Sequence, residues 1–303
     1  MSAYHSNGSY VDIAKIEGGA TYKEYMLGLR GEPVNDISAP YCPFSKRICQ
    51  YWPFTRVQPL NPLAPILKAL VASADSALET TVKSVAVSAY DIGTIDHGSA
   101  RNDVNAALEG LGVYSYGRLD HVARQLAPAL GIRGNCSEPH IPPNEPAYHE
   151  DPAQIHLTVE YTRDAMTVGL WTEDCGVMEM TKRWNSAQLG DNAMQTCRKT
   201  AQNETTCEKS FISALRSVSQ DSSRDKSEEI DSVLVFGECA DDEAMLDAVR
   251  QVLKEQFPNG DSVDSSRVRN FSPDPVFAGS RAMALAVWAA QDPGHESQYA
   301  REL

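Results

Sequence analysis

The sequence DSVLVFGECADDEAMLDAVRQVLKEQF, residues 231–257, joins a strand, a turn and a helix without interruption. Ser232–Phe236 is an apolar run rich in β-branched residues, which is typical of a buried parallel strand. Gly237 ends the run, and acidic residues follow at 238 and 241–243, where the dipole of a helix N-terminus favours negative charge. Apolar residues then recur at helical spacing until the Pro-Asn-Gly sequence at 258–260. This arrangement is a common ligand site in α/β proteins, although an ordinary strand-to-helix connection has the same pattern.

Composition limits the classes of protein to consider. The 303 residues are 42% hydrophobic and 22% charged, which is enough for two lobes with cores and excludes a wholly disordered chain. The net charge of -14 is spread along the chain and argues against nucleic acid or an anionic membrane as a partner. No apolar run reaches the roughly 18 residues that a membrane span needs, and we expect a cytoplasmic protein.

The seven cysteines form no CxxC pair and no Cys/His cluster with zinc spacing. Their number is odd and their positions are scattered. We therefore expect reduced thiols and no bound metal.

The amino-terminal half is predicted to alternate short strands and helices. Its longest irregular stretch, 38–65, is rich in proline and aromatic residues, which predicts a segment packed over a surface, either as a lid or as core filler. We expect a loop at 90–98, with Ser99 as the N-cap of a helix at 101–111. The other predicted elements are strands at 11–16, 82–89 and 113–116 and helices at 22–29, 60–78 and 119–130.

The carboxyl-terminal half is predicted to open with an antiparallel meander. Three alternating apolar runs, 155–161, 165–171 and 176–182, are joined by polar turns at 162–164 and 172–175. Beyond the meander, the patterns predict a helix at 208–218, the strand and helix of residues 231–257, a loop at 270–276 and a helix at 278–290.

In this order the elements resemble the superfamily of actin, sugar kinases and the ATPase domains of heat-shock chaperones. SVLVFGECADDEAM (232–245) is similar to the family's adenosine wall, and SPDPVFAGSRAMA (272–284) is similar to the chaperones' closing motif. Residues 78–132 resemble the first lobe. Residues 155–191 resemble the strands that open the second lobe, with Leu189-Gly190-Asp191 at the family's Leu-Gly-Gly corner.

The resemblance implies an α/β protein with a reduced, two-lobed actin-like ATPase (ribonuclease-H-like) fold. The first lobe is expected at 1–150, with a shortened N-terminus and the connector 38–65. The second lobe is expected at 151–303, with the meander at 155–182 and the adenosine-wall-like strand and helix at 231–257.

The glycines that would hold phosphate are missing. Chaperones grip phosphate with two glycine-rich hairpins, because only glycine lets backbone N–H groups crowd around the oxygens. Residues 11–20 lack the first hairpin, and 159–165 reads Val-Glu-Tyr-Thr-Arg-Asp-Ala at the second. The sequence Asp-Ile-Gly-Thr at 91–94 matches the residues of the first hairpin, but it follows a later strand, whereas the family's hairpin opens a lobe. We predict no ATP hydrolysis and no cofactor.

Loops after the strands supply the candidate site residues. Carboxylates beside an imidazole can do acid–base chemistry near neutral pH. The candidate catalytic residues are His97, Asp91, Asp96 and Glu160. The candidate ligand-binding residues are Tyr90, Tyr161, Arg163, Gly237 and Glu238. The alternative is that the aspartates cap a helix, that the histidine is exposed, and that Glu160, Tyr161 and Arg163 simply alternate on a strand. Cys175 and Cys239 have no base adjacent in sequence, which argues against a nucleophile.

Three functions follow as hypotheses. The cleft binds or transforms a hydrophobic small molecule, as a cofactor-free isomerase or cyclase does; or the chain is a pseudo-ATPase that binds a partner protein; or it still binds ATP. A deep pocket lined by aromatic side chains with His97 or Glu160 favours the first, and a filled cleft with an exposed apolar patch favours the second.

Overall fold

The computed structural model describes residues 1–5, 9–29, 61–89, 97–116, 120–129, 132, 153–174, 177–200, 205–220, 230–256, 268–270 and 274–291. Helices and strands are mixed throughout, which confirms the general α/β class. The chain divides into two compact units, residues 1–121 and 122–302. The predicted lobe boundary near residue 150 and the connector as far as residue 60 lie outside the described residues.

The first unit contains short strands and three helices among its described residues. The helices are α1 (Ala20–Leu29), α2 (Ala64–Leu78) and α3 (His97–Glu109). The strands are β1 (Ser2–Tyr4), β2 (Tyr10–Asp12), β3 (Ser84–Val85), β4 (Ser88–Ala89), β5 (Tyr114–Ser115) and β6 (Asp120–His121). They form three separate pairs, antiparallel β1–β2 and parallel β3–β5 and β4–β6. Val104, Leu108 and Val113 form a small core with partly buried side chains of α2.

Two predictions in this unit are wrong. The helix expected at 101–111 already begins at His97, so His97 is helical and does not belong to a loop. Asp120 and His121, expected in a helix, form a strand instead, paired with Ser88 and Ala89. The first residues of α3 are polar, and the paired strands β4 and β6 have only two residues each. Neither segment therefore shows a hydrophobic periodicity from which its structure could be predicted.

The second unit is built on one five-stranded sheet. Its strands are β7 (Gln154–Tyr161), β8 (Met166–Asp174), β9 (Val177–Ser186), β10 (Ser232–Phe236) and β11 (Val268–Asn270). Its helices are α4 (Val122–Ala129), α5 (Asp191–Thr200), α6 (Thr205–Ser219), α7 (Glu243–Gln256) and α8 (Ala278–Gln291), with 3-10 turns at Ala187–Leu189 and Pro275–Phe277.

The strand order is β11-β10-β7-β8-β9. β8 runs antiparallel to both of its neighbours, which confirms the predicted meander, and β10 runs parallel to β7 and to β11. Two details differ from the prediction. Residues 172–174 continue β8 and are not a turn, and Asn270 ends β11 and is not in a loop.

The two faces of this sheet differ in chemistry because successive side chains of a strand point to opposite sides. The apolar face packs against α6 and α7. Its strand residues are Ile155, Leu157, Val159, Tyr161, Met166, Val168, Leu170, Val233 and Val235. On the polar face, buried polar residues lie among apolar ones that pack near α4. Its buried polar strand residues are His156, Thr158, Glu160, Thr167, Glu173 and Ser232.

Helix α5 was not predicted. Among its residues, 191–200, which are all described, only Met194 is buried. A helix that buries one side chain has no apolar stripe for the sequence to reveal. In the described parts of the chain, no helix is both long and apolar enough to cross a membrane.

Candidate functional site

The candidate site lies at the carboxyl ends of β7 and β10. These strands are parallel neighbours, and Phe236 is in register with Glu160. The turn after β7 and the turn after β10 therefore meet at one edge of the sheet. We call this region, defined by Arg163, Asp191, Arg198, Glu238 and Asp242, the charged corner.

The turn after β7 is closed on itself and fixed to α5. Thr162 N donates to Ala165 O over 3.0 Å, and Ala165 N donates to Thr162 Oγ1 over 3.1 Å. The carbonyl oxygens of Thr162 and Arg163 accept hydrogen bonds from the backbone N–H groups of Asp191 (3.0 Å) and Asn192 (2.9 Å). The first residues of α5 therefore lie directly on this turn.

The turn after β10 needs a glycine at its start. Gly237 has φ +106, and a Cβ there would lie 2.4 Å from the carbonyl oxygen of Tyr161. Cys239 N also donates to that oxygen over 3.1 Å. Only glycine allows this backbone conformation together with so close an approach.

Arg163 and Glu238 bind each other across the corner. The backbone N–H of Arg163 donates to Glu238 Oε1 over 3.0 Å, and Arg163 Nη2 donates to Glu238 Oε2 over 2.9 Å. The side chains are 42% and 21% exposed. Both contacts are charge-assisted, which makes them stronger than neutral hydrogen bonds. Arg163 and Glu238 were both predicted to bind a ligand, but in the structure they bind each other.

Asp242 links α7 to α5. Its Oδ1 accepts a hydrogen bond of 2.8 Å from Met245 N, so Asp242 caps α7. Both carboxylate oxygens also lie 3.4 Å from the guanidinium of Arg198. Burial lowers the pKa of Arg198, but the hydrogen bonds that Arg198 donates to Asp242 and the negative charge of Asp242 outweigh this effect and raise the pKa.

Tyr161 belongs to the core and not to the surface of the site. It is fully buried, and its ring meets Phe211 edge-on with 5.5 Å between centroids. Among the described residues, its hydroxyl has no hydrogen-bond partner. Burial, and then the charges of Asp242 and Asp191, raise the pKa of Tyr161 well above its usual range.

Cys239 is a protonated thiol near neutral pH. Burial, followed by the charges of Asp191 and Glu238, raises its pKa to about 12. Since the thiolate is the nucleophilic form, Cys239 is a poor nucleophile.

The structure separates several of the predicted site residues. Glu160 is 4% exposed and lies on the polar face, opposite Thr167 on β8, whereas its neighbour Tyr161 lies on the apolar face. Tyr90, Asp91 and Asp96 lie outside the described residues, as does the side chain of His97. Their catalytic roles therefore stay predictions.

Sequence analysis missed Asp191 and Arg198 as members of the corner. One feature of the sequence pointed to Asp191: it directly follows Gly190 in the segment Leu189-Gly190-Asp191, which resembles the family's Leu-Gly-Gly corner. A Cβ on Gly190 would lie 2.4 Å from Ala165 N, which explains the glycine. Arg198 carried no signal, because its partner Asp242 is 44 residues away in the chain.

Cys197 and Cys207 form a disulfide between α5 and α6. The prediction of reduced thiols is therefore wrong for these two residues. They are ten residues apart in sequence, and only the packing of α5 beside α6 brings them together. Within the described ranges, no cluster of three or more His, Cys, Asp or Glu side chains is placed to hold a metal ion.

No protein-family model matches the chain, and no curated protein sequence matches it.

Proposed function

We propose that this protein is a reduced relative of the actin-like ATPases that does not hydrolyse ATP. The proposal has two parts: the fold descends from an actin-like ATPase, and the backbone groups that bind the phosphates of ATP have been lost. They rest on different observations.

The strand order supports the fold. Three antiparallel meander strands are followed by two helices and by a strand that returns parallel to the first, in the order β11-β10-β7-β8-β9. This is the arrangement expected of one lobe of an actin-like (ribonuclease-H-like) protein. The glycine turn and α7 then follow β10, as in the adenosine wall that the sequence resembles. Fold alone does not establish a function.

The Arg163–Glu238 contact is the observation that carries the proposed loss of ATP hydrolysis. In the family, the turn after the first meander strand offers backbone N–H groups to phosphate. Here the N–H of Arg163 is taken by Glu238 Oε1 at 3.0 Å, and the guanidinium neutralises the same carboxylate. If the chain has the proposed descent, the Glu238 carboxylate takes the position of a phosphate oxygen, which supports the loss of ATP hydrolysis.

The first test is Mg-ATP binding by calorimetry with the full chain. We expect no binding at micromolar concentrations and no phosphate release above that of the buffer. Micromolar binding accompanied by hydrolysis would refute the proposal.

A sharper test removes the internal anion. In Glu238→Gln, the Arg163 guanidinium loses its counter-charge, and we expect inorganic phosphate to bind at least about tenfold more tightly than to the wild type. Glu243→Gln is the matched control, because Glu243 is 78% exposed and near the same helix start. The control removes the same charge but should leave phosphate affinity within about twofold. An equal gain in both variants would mean that the net charge of the protein limits anion binding, and not the contact between Glu238 and Arg163.

One observation favours the alternative, a hydrophobic small-molecule ligand. The Tyr161 hydroxyl is buried without a hydrogen-bond partner among the described residues, and a polar atom of a ligand would satisfy it. Solvent extraction of the purified protein followed by mass spectrometry should then yield one stoichiometric compound, and Tyr161→Phe should lose it. For the isomerase or cyclase hypothesis, His97→Ala and Glu160→Ala are the variants to assay with that compound. Extraction of no such compound from the wild type would contradict this alternative.

A further inference from the structure

The disulfide between Cys197 and Cys207 anchors a weakly held helix. The two Cα atoms are 6.1 Å apart. Cys207 is 1% exposed in the apolar core, whereas Cys197 on α5 is only partly buried against that core. The bond therefore ties α5 to a fully buried residue of α6.

Helix α5 has few other anchors along its carboxyl-terminal half. Its ten residues are all described, and Met194 alone among them is buried. A helix of this length is marginal without tertiary contacts. Backbone hydrogen bonds to the turn at 162–163 hold its first residues. Beyond Met194, the bonds between α5 and the other described residues of this unit are the disulfide and the Arg198–Asp242 ion pair, at 3.4 Å.

We propose that the Cys197–Cys207 disulfide is a redox-controlled clasp on the charged corner. When the bond is formed, it fixes Arg198 next to Asp242, because Cys197 and Arg198 are adjacent residues. When it is reduced, the end of α5 loosens and Arg198 leaves the carboxylate that caps α7. The inference does not depend on the proposed function.

Reduction requires an external dithiol, for example of the thioredoxin class. Its thiolate attacks Cys197 Sγ, on the more exposed residue, and the S–S bond breaks with Cys207 leaving as a thiolate that takes up a proton. The second thiol of the reductant then attacks the mixed disulfide and releases Cys197 as a thiol. The reductant supplies two electrons and two protons and is left as a disulfide. Oxidation by a disulfide-donating partner reverses both steps.

Cys239 does not interfere with this exchange. Its pKa of about 12 keeps it a thiol near neutral pH, so it does not attack the clasp from within. Among the described residues, no other free cysteine is present to compete with the external dithiol.

The test compares the full chain after oxidation with glutathione disulfide and after reduction with dithiothreitol. Peptide mapping without reduction should recover Cys197 linked to Cys207 from the oxidised sample. Hydrogen exchange followed by mass spectrometry should show the amides of 195–200 exchanging at least about tenfold faster after reduction, with β8 unchanged. We also expect Tm to fall by about 5–10 °C on reduction.

Variants assign the response to this bond. Cys197→Ser should exchange rapidly at 195–200 under both conditions, and Cys239→Ser should keep the full redox response. The inference is overturned if the linked peptide does not form, or if exchange at 195–200 is the same in oxidised and reduced wild type. It is equally overturned if Cys197→Ser still responds to dithiothreitol.

Discussion

The two faces of the five-stranded sheet are built from the same strands but by different means. On the apolar face, nine buried side chains from β7, β8 and β10 pack against α6 and α7. One of these nine, Tyr161, carries a buried hydroxyl. On the polar face, His156, Thr158, Glu160, Thr167 and Glu173 are all at most 6% exposed. The first face is held by packing, and the second depends on satisfying its polar groups.

Hydrogen bonds between neighbouring strands satisfy part of the polar face. Trp171 Nε1 donates to Thr158 Oγ1 over 2.9 Å, and Thr158 Oγ1 donates to Gly169 O over 3.3 Å. His156 Nδ1 lies 2.9 Å from Ser232 Oγ, also within hydrogen-bonding distance. Such networks specify one arrangement but cost free energy when a member is removed. The apolar face therefore contributes bulk stability through packing, whereas the hydrogen bonds of the polar face join particular residues of neighbouring strands and favour one strand register.

The largest effect should come from the apolar face. Phe211→Ala removes a fully buried ring that meets Tyr161 edge-on, and it should lower the free energy of unfolding by about 3–5 kcal/mol. Urea denaturation measures this. Val177→Ala is the control, since Val177 is 51% exposed and its loss should stay within about 0.5 kcal/mol. A loss below about 1 kcal/mol for Phe211→Ala would contradict a tightly packed apolar face.

The next effect should come from the edge where both faces end. Gly237→Ala adds a Cβ at φ +106, 2.4 Å from a backbone oxygen, and should cost about 2–3 kcal/mol in the same assay. Gly112→Ala separates the two causes, because Gly112 has φ +69 but no atom within 4 Å of the added Cβ. It should cost only about 1 kcal/mol. Equal costs in the two variants would show that the approach to Tyr161 is unimportant.

The polar face should respond more weakly and through coupling. Thr158→Val keeps the shape but removes the acceptor of the Trp171 indole, and it should cost about 1–2 kcal/mol. A double-mutant cycle with Trp171→Phe isolates the pair, and we expect a coupling free energy of about 0.5–1.5 kcal/mol. Additive losses would mean that this hydrogen bond does not stabilise the polar face.

The smallest effect at neutral pH should come from Tyr161→Phe. The hydroxyl has no hydrogen-bond partner among the described residues, so its loss should change stability by less than about 1 kcal/mol. Alkaline pH should separate the variant from the wild type. Because burial raises the folded-state pKa of Tyr161, the unfolded chain ionises first, and wild-type stability falls as pH rises above about 10.

Urea denaturation at neutral pH and above pH 10 measures this difference, and the fall should be shallower in Tyr161→Phe. Tyr114→Phe is the control, because Tyr114 is 77% exposed and its variant should follow the wild type. Parallel alkaline curves for the wild type and Tyr161→Phe would contradict the buried hydroxyl.

Strong periodicity made the second unit readable from sequence. Ser232–Phe236 is a strand with the predicted bounds, and the predicted meander forms with the expected antiparallel pairing. In these segments apolar residues recur with the period of the element, because one side of each faces a core. The sequence also predicted correctly that the strand ends at Gly237, and Gly237 itself has a positive φ.

Weak periodicity explains what was missed. Helix α5 buries one side chain, the strand pair β4–β6 has two residues in each strand, and α3 begins with polar residues. These elements depend on distant partners that a local pattern does not contain.

The sequence by itself determined the α/β class, the meander and the strand, glycine turn and helix of residues 231–257, because each follows from local periodicity and from the backbone freedom of glycine. It also pointed to Arg163, Gly237 and Glu238 as members of one site. Only the tertiary structure decided that Arg163 and Glu238 bind each other, that Glu160 and Tyr161 face opposite ways into cores, and that Cys197 meets Cys207. These are contacts between separate elements, and their distances are set by how the sheet and helices pack.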